Sequence, residues 1–225
     1  DNNGTIDNTG MNPAYTYAAD GSHPVQLTVT TNNNCTATIS AMAVVHPLPV
    51  SNFVANSSCL GTSTQFTDLS TLSSGSIISR KWDFEGDGFI DFTGMNPSYT
   101  YSSSGTQNPI LHIITNNNCT SANQKIVFIN PNPVVNFVAD DPDGCPSHCV
   151  NFTNYSTVSN GTISSYSWNF GDNIINNTYL GRHHFDKSGK YRVKLTTKSN
   201  FNCIDTLTKI VVVTEQPKAF YVANR

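Results

Sequence analysis

Asn32–Asn33–Asn34–Cys35–Thr36 recurs, residue for residue, as Asn116–Asn117–Asn118–Cys119–Thr120, 84 positions further along the chain. Cys203 lies another 84 on. Outward from this stretch the same spacing relates Gly21, Gly105 and Gly189, then Tyr17, Tyr101 and Phe185, then Pro49, Pro133 and Pro217. Beyond each proline of that series stand Phe53–Val54–Ala55–Asn56, Phe137–Val138–Ala139–Asp140 and Tyr221–Val222–Ala223–Asn224. A solenoid repeat is about 20–50 residues long, so a period of 84 fits a small autonomous domain better. The 225 residues divide into the back part of one unit (1–49), two full units (50–133 and 134–217) and the opening of a further one (218–225).

Inside a unit the pattern is one of short strands. Val25, Leu27 and Val29 alternate with Gln26, Thr28 and Thr30, and Tyr191, Val193 and Leu195 alternate with Arg192, Lys194 and Thr196. This period of two marks a half-buried strand. Lys125–Ile129 and Lys209–Val213 are short, β-branched, apolar runs suited to a sandwich core, and Gly-, Asn- and Ser-rich turns separate the runs. Asn, Ser and Thr number 28, 24 and 26, while charged residues are only 12%. Short polar side chains compete for backbone hydrogen bonds and disfavour long helices. The expectation is an all-β chain of two-sheet sandwiches, each full unit with one mid-unit tryptophan, Trp82 and Trp168.

Composition excludes several function classes. A net charge of −3 offers no basic field for nucleic acid or anionic lipid. Apolar runs such as Ile210–Val213 are far too short to cross a bilayer, so no membrane insertion is expected. No Gly-x-Ser-x-Gly elbow, phosphate loop or Cys–His signature is present, and no carboxylate pair is singled out for catalysis, so an enzyme is not expected.

Trp82–Asp83–Phe84–Glu85–Gly86–Asp87–Gly88 resembles the WDFGDG signature of PKD (polycystic kidney disease) domains, and Trp168–Asn169–Phe170–Gly171–Asp172 is a second copy. Tyr101-x3-Gly105 and Phe185-x3-Gly189-x-Tyr191-x-Val193-x-Leu195 resemble the closing pattern of that family. The resemblance covers essentially the whole chain. Its subtype, with a cysteine before the second strand, Asn-rich turns and Pro-bounded joints, is similar to PKD arrays in large secreted proteins of Bacteroidetes-like bacteria. The resemblance implies tandem seven-stranded Ig-like sandwiches, no catalysis, an extracellular or cell-surface location and a role as spacer, adhesive stalk or binding module. Asn169 replaces the Asp of the motif and no Gly follows Asp172, so the loop of 134–217 is expected to differ in shape.

Six cysteines point to an oxidising compartment. Cys59 and Cys145 precede equivalent second strands, and Cys119 and Cys203 occupy the turn before the last strand. If an Ig-like order places the first turn and the last hairpin turn at the same end, Cys59–Cys119 and Cys145–Cys203 are the expected bridges. Each would close a loop of roughly 60 residues and stabilise by about 2–4 kcal/mol. Cys35 lacks a partner under this scheme. Cys149 offers Cys145 an alternative partner, and Cys145, His148 and Cys149 form a partial zinc set with no second ligand pair nearby.

Asp83, Glu85, Asp87 and Asp91 alternate along a Gly-bearing loop, as oxygen ligands of calcium would. Asp1, Asn3 and Asp7 in the first unit, and Asp172, Asn173 and Asn176–Asn177 in the third, are their partial equivalents. Carboxylates that cap and tighten a turn explain the same pattern, so the expected cofactor set is none, with calcium the one candidate. His183 and His184 are neighbours on a strand and point to opposite faces. Asp205–Thr206–Leu207 resembles the D-(S/T)-hydrophobic O-glycosylation pattern of that bacterial group, which would place a glycan on Thr206. Sequons at Asn3, Asn34, Asn56, Asn118, Asn151, Asn154, Asn160 and Asn176 arise readily in a chain so rich in Asn, Ser and Thr.

Three roles remain: a surface stalk or filament module, an adhesin that binds polysaccharide or a surface protein, and a spacer of a larger secreted hydrolase. Partners are expected among other copies or further repeats of the same protein. The paired prolines of His46–Pro47–Leu48–Pro49 and Asn130–Pro131–Asn132–Pro133 fix φ and predict stiff joints. The repeat arithmetic predicts that the half unit 1–49 is completed either by further repeats of a longer array or by the tail of another copy.

Overall fold

The computed structural model describes residues 5–221; Asp1, Asn3 and Val222–Ala223–Asn224 lie outside them. Among the described residues every regular element is a strand, twenty in all, arranged in six sheets. The architecture is all-β and Ig-like, as the alternating patterns predict.

The Asn-rich motif makes a hairpin turn. Asn34 and Asn118 adopt φ of 59° and Asn202 φ of 65°, a left-handed conformation that Asn tolerates better than most residues. In each turn the third of these asparagine positions donates its N–H three residues back, to Thr31, Thr115 or Ser199. The N–H of Thr31, Thr115 or Ser199 in turn donates to the carbonyl of Cys35, Cys119 or Cys203.

The chain packs as two compact units that do not follow the sequence repeat. One takes residues up to Asn56, Gln65–Tyr99 and Gln107–Val127; the other takes Ser57–Thr64, Thr100–Thr106 and the residues from Phe128 on. In the first, Thr120–Gln124, Ile110–Thr115, Ile77–Asp83 and Phe92–Thr93 form one sheet in that order. Phe53 and Phe66, from the sheet of Phe53–Ala55 and Ser63–Asp68, meet Trp82 edge-on or tilted at 5.2 and 5.5 Å between ring centroids. Burial of these large rings dominates the core. Trp82 keeps its one polar atom satisfied by donating from Nε1 to the Gly94 carbonyl at 2.9 Å.

The hairpin of Gly21–Thr30 and Thr36–Val45 pairs over ten residues and forms a sheet of its own. Leu27 and Val29 are 58% and 54% exposed, whereas Leu111 and Ile113, 84 residues on, are fully buried. The alternation of 25–30 is therefore that of a core strand whose cover is not supplied by residues 5–49.

In the second unit a five-stranded sheet runs Asp143–Gly144, Ile204–Val213, Gly189–Ser199, Ile163–Asn169, Ile175–Asn176. Facing it, Phe137–Ala139, His148–Asn154 and Gly181–Phe185 form a three-stranded sheet. Phe137, Phe152, Trp168, Phe170, Phe185, Val193 and Leu195 fill the core between them. Trp168 Nε1 donates to Thr178 at 3.1 Å, a carbonyl 84 residues beyond that used by Trp82. Lys125 and Lys209 also match: each sits over a phenylalanine ring, Phe53 at 5.4 Å and Phe137 at 5.1 Å.

The cysteine pairing differs from the expectation. Cys59 bonds Cys203, with Cα atoms 5.5 Å apart, while Cys35, Cys119, Cys145 and Cys149 are free. Neither Cys59–Cys119 nor Cys145–Cys203 forms, because the first turn and the last hairpin turn lie at opposite ends of the last strand. Asp143–Gly144 pairs in parallel with Val212–Val213, and Cys203 stands before the other end of that strand, Ile204. Ten extended residues put about 30 Å between them, against roughly 7 Å at most between the Cα atoms of a bridged pair. Cys59 is likewise paired with Asn130, where its repeat ends.

Candidate functional site

The acidic loop follows directly from the strand Ile77–Asp83. Asp83 is buried, and its carboxylate accepts three backbone N–H groups: Gly86 at 2.6 Å, Asp87 at 3.2 Å and Gly88 at 2.8 Å. Asp91 Oδ2 accepts Phe84 N–H at 2.7 Å, and Asp87 Oδ1 accepts Phe89 N–H at 2.9 Å. Gly86 has φ of +73°, and a Cβ there would stand 2.7 Å from the Asn108 carbonyl oxygen. Only glycine suits that position.

Asp83, Glu85 and Asp91 bring carboxylate oxygens within 4.8 Å of one another. Asp87, the fourth residue of the sequence pattern, is not in that group and closes its own turn. Three such oxygens match the ligand type of a hard cation, yet those of Asp83 and Asp91 already accept the backbone donors that shape the loop. Burial, with Asp91 repulsion added, pushes the Glu85 carboxyl above its ordinary 4.5 despite the hydrogen bond from Tyr99. The Tyr99 hydroxyl is pushed up to about 12, first by that hydrogen bond to Glu85, then by burial and the surrounding carboxylates.

The loop of 134–217 has a different shape, as the motif departures predict. Asn169 Oδ1 accepts a single amide, Gly171 N–H at 2.9 Å. Asp172 Oδ1 accepts Ile174 N–H at 3.2 Å, and its Oδ2 meets His183 Nε2 at 2.6 Å. His183 stacks on Phe170 at 4.3 Å just as Tyr99 stacks on Phe84 at 4.4 Å. Tyr99 and His183, 84 apart, thus present the same device: an aromatic ring over the motif phenylalanine, holding a loop carboxylate by its polar edge. Neither role was anticipated from sequence, though the spacing was there to be read.

The other candidates are not brought together. Cys145 and Cys149 are exposed and unbonded. Arg182 Nε lies 3.4 Å from Cys149 Sγ, and His148 Nε2 is 2.8 Å from the Asp141 carbonyl. No zinc set forms from Cys145, His148 and Cys149 among the described residues. His183 is half-buried and His184 exposed on successive positions of Gly181–Phe185. Thr206 is exposed on Ile204–Val213, its N–H held by Asp205 Oδ1 at 2.7 Å.

The disulfide sits in a compact set of joint contacts. Leu60 N–H donates to the Asn130 carbonyl at 2.9 Å, Asn130 Nδ2 to Ser58 at 3.3 Å and Asn132 Nδ2 to Leu60 at 3.0 Å. Cys203 is almost wholly buried there.

Residues 130–214 match the family model described as PKD domain. A stretch of 55 residues is 40% identical to collagenase ColA of Clostridium perfringens, 24% of this chain and only 5% of that protein. The chain is also similar to the PKD1 domain of Vibrio anguillarum Epp, at 26% identity over 39% of this chain and 99% of that one, with a TM-score of 0.35. The PKD1 domain from the Vibrio cholerae metalloprotease PrtV matches at 28% identity over 36% of this chain and 96% of that one, with a TM-score of 0.33.

Proposed function

We propose that this chain is a non-catalytic, extracellular stretch of tandem PKD-type repeats whose work is mechanical, as part of a surface stalk or filament. The observation that carries the reading is the Cys59–Cys203 bond, which ties a residue of the repeat 50–133 to one of the repeat 134–217 across 144 positions. Such bonds form and persist in oxidising compartments and are rare in reducing ones, and this one resists separation of the two repeats where hydrogen bonds alone would yield. The prolines of Asn130–Pro131–Asn132–Pro133 restrict the same joint. Single-molecule stretching tests this. Under oxidising conditions the residues between Cys59 and Cys203 should stay out of the extension, and reductant should release them. Full extension without reductant would overturn the reading.

A second reading, a spacer within a secreted hydrolase, draws on the segment shared with collagenase ColA. A catalytic domain encoded in the same open reading frame would favour it over the stalk.

A further inference from the structure

We infer that Cys59–Cys203 is one rung of a repeating covalent ladder, in which the last-hairpin cysteine of each repeat bonds the first-turn cysteine of the repeat before it. Cys35 and Cys119 are then attachment points for a preceding PKD-type repeat, and Cys145 is the attachment point for a following one. This rests on the tandem-repeat reading above.

The acceptor turns are the same structure three times. Thr31, Thr115 and Ser199 each donate N–H to the cysteine carbonyl at 2.8–2.9 Å. Their hydroxyls accept the cysteine N–H at 3.2, 3.1 and 3.2 Å. In all three the cysteine Sγ lies 3.9 Å from the carbonyl two residues back, at Asn33, Asn117 or Phe201. Cys35 and Cys119 therefore hold their sulfur as Cys203 does, and only Cys203 is bonded. Cys203 is also the buried one, whereas Cys35 is exposed and Cys119 half-buried.

The donor side repeats too. Ser58 pairs in parallel with Ile129, and Gly144 with Val213, 84 residues beyond Ile129. The cysteine follows immediately in both cases, as Cys59 and Cys145, and stands seven residues before the buried ring of Phe66 or Phe152. Cys145 is at the wrong end of its own sandwich to reach Cys203. Its partner by this rule stands 84 residues beyond Cys203, in the last-hairpin turn of a following repeat.

Closing each rung is a two-electron oxidation, and an external small disulfide serves as oxidant. One cysteine thiolate attacks that disulfide, forming a mixed disulfide and releasing one thiol. The partner thiolate then displaces the second thiol and the protein disulfide remains. Two cysteine thiols are oxidised, one external disulfide is reduced, and the two cysteine protons end on the released thiols.

The test inserts a second copy of 134–217 after Pro217 in the full chain, refolds it with oxidised and reduced glutathione, and maps bonds by non-reducing proteolysis and mass spectrometry. Expected are Cys59–Cys203 and a bond from Cys145 to the last-turn cysteine of the inserted copy. In Cys145→Ser that last-turn cysteine should become alkylable, while circular dichroism shows the inserted copy still folded. Cys145 bonded to Cys149, or alkylable beside a folded inserted copy, would overturn the ladder. Neither result would touch the mechanical reading, which fails only if the existing Cys59–Cys203 bond does not limit extension.

Discussion

Tyr99 and His183 show how a repeat keeps a contact while changing its chemistry. Both stack on the motif phenylalanine, and both hold a carboxylate, Glu85 or Asp172. Because Glu85 is the first cause of the raised Tyr99 value, Glu85→Gln should bring Tyr99 from about 12 back toward its ordinary 10.0. An absorbance titration near pH 10–12, with Tyr99→Phe to assign the transition, checks it. A raised folded value means the contact stabilises the neutral phenol. That stability is fully present below pH 10 and disappears as pH rises through about 12. An unchanged Tyr99 transition in Glu85→Gln would show that burial alone raises it. At the same scale, Trp168 is fully enclosed by Phe137, Phe152 and Phe170. Trp168→Ala should cost about 3–5 kcal/mol, read from denaturant unfolding of the second unit.

Loops decide what the carboxylates do at the scale of the element. Asp83 takes three backbone donors and Asp91 one, so the loop is closed by its own chain. Added calcium should therefore leave the unfolding midpoint where it is, measured by thermal melts in calcium and in chelator. A rise in calcium that Glu85→Gln removes would instead demonstrate a bound ion at Asp83, Glu85 and Asp91. Asp87→Ala is the less informative variant, since Asp87 faces Phe89 N–H and lies outside the convergent group. The hairpin Gly21–Val45 carries the same lesson about dependence on neighbours. Its strand pattern is complete, yet a two-stranded ribbon alone buries little, and Leu27 and Val29 stay exposed.

For the whole molecule the decisive feature is one covalent bond. It lies within the unit that takes both Ser57–Thr64 and the residues from Phe128 on. Cross-linking residues so far apart restricts the unfolded chain, and breaking the bond should cost about 2–4 kcal/mol. A reductant such as TCEP should lower the unfolding midpoint of the natural chain and leave Cys203→Ser unaffected. Equal shifts in both would place the effect at some other cysteine.

Strand positions, hairpin turns, the two core tryptophans and the PKD-like loop motif were legible in the sequence because each rests on local chemistry. Alternation places side chains on two faces, Asn accepts a left-handed φ, and a repeat of 84 positions, 86 at the tryptophans and the loop motif, carries these features from one unit to the next. The weakened loop at Asn169 was legible for the same reason, since an amide oxygen in place of a carboxylate gathers fewer amides. Cysteine pairing was not legible. It depends on which end of a sandwich each turn occupies, and that is set by the parallel pairing of Ser58–Cys59 with Ile129–Asn130. Residues next to each other in that pairing are some 70 positions apart in the chain, so no local pattern records it. Turn closure by these carboxylates was one of the two readings the sequence left open, but the three amides gathered by Asp83 and the departure of Asp87 from the convergent group emerged only in three dimensions, because a spacing of carboxylates does not say where each one turns.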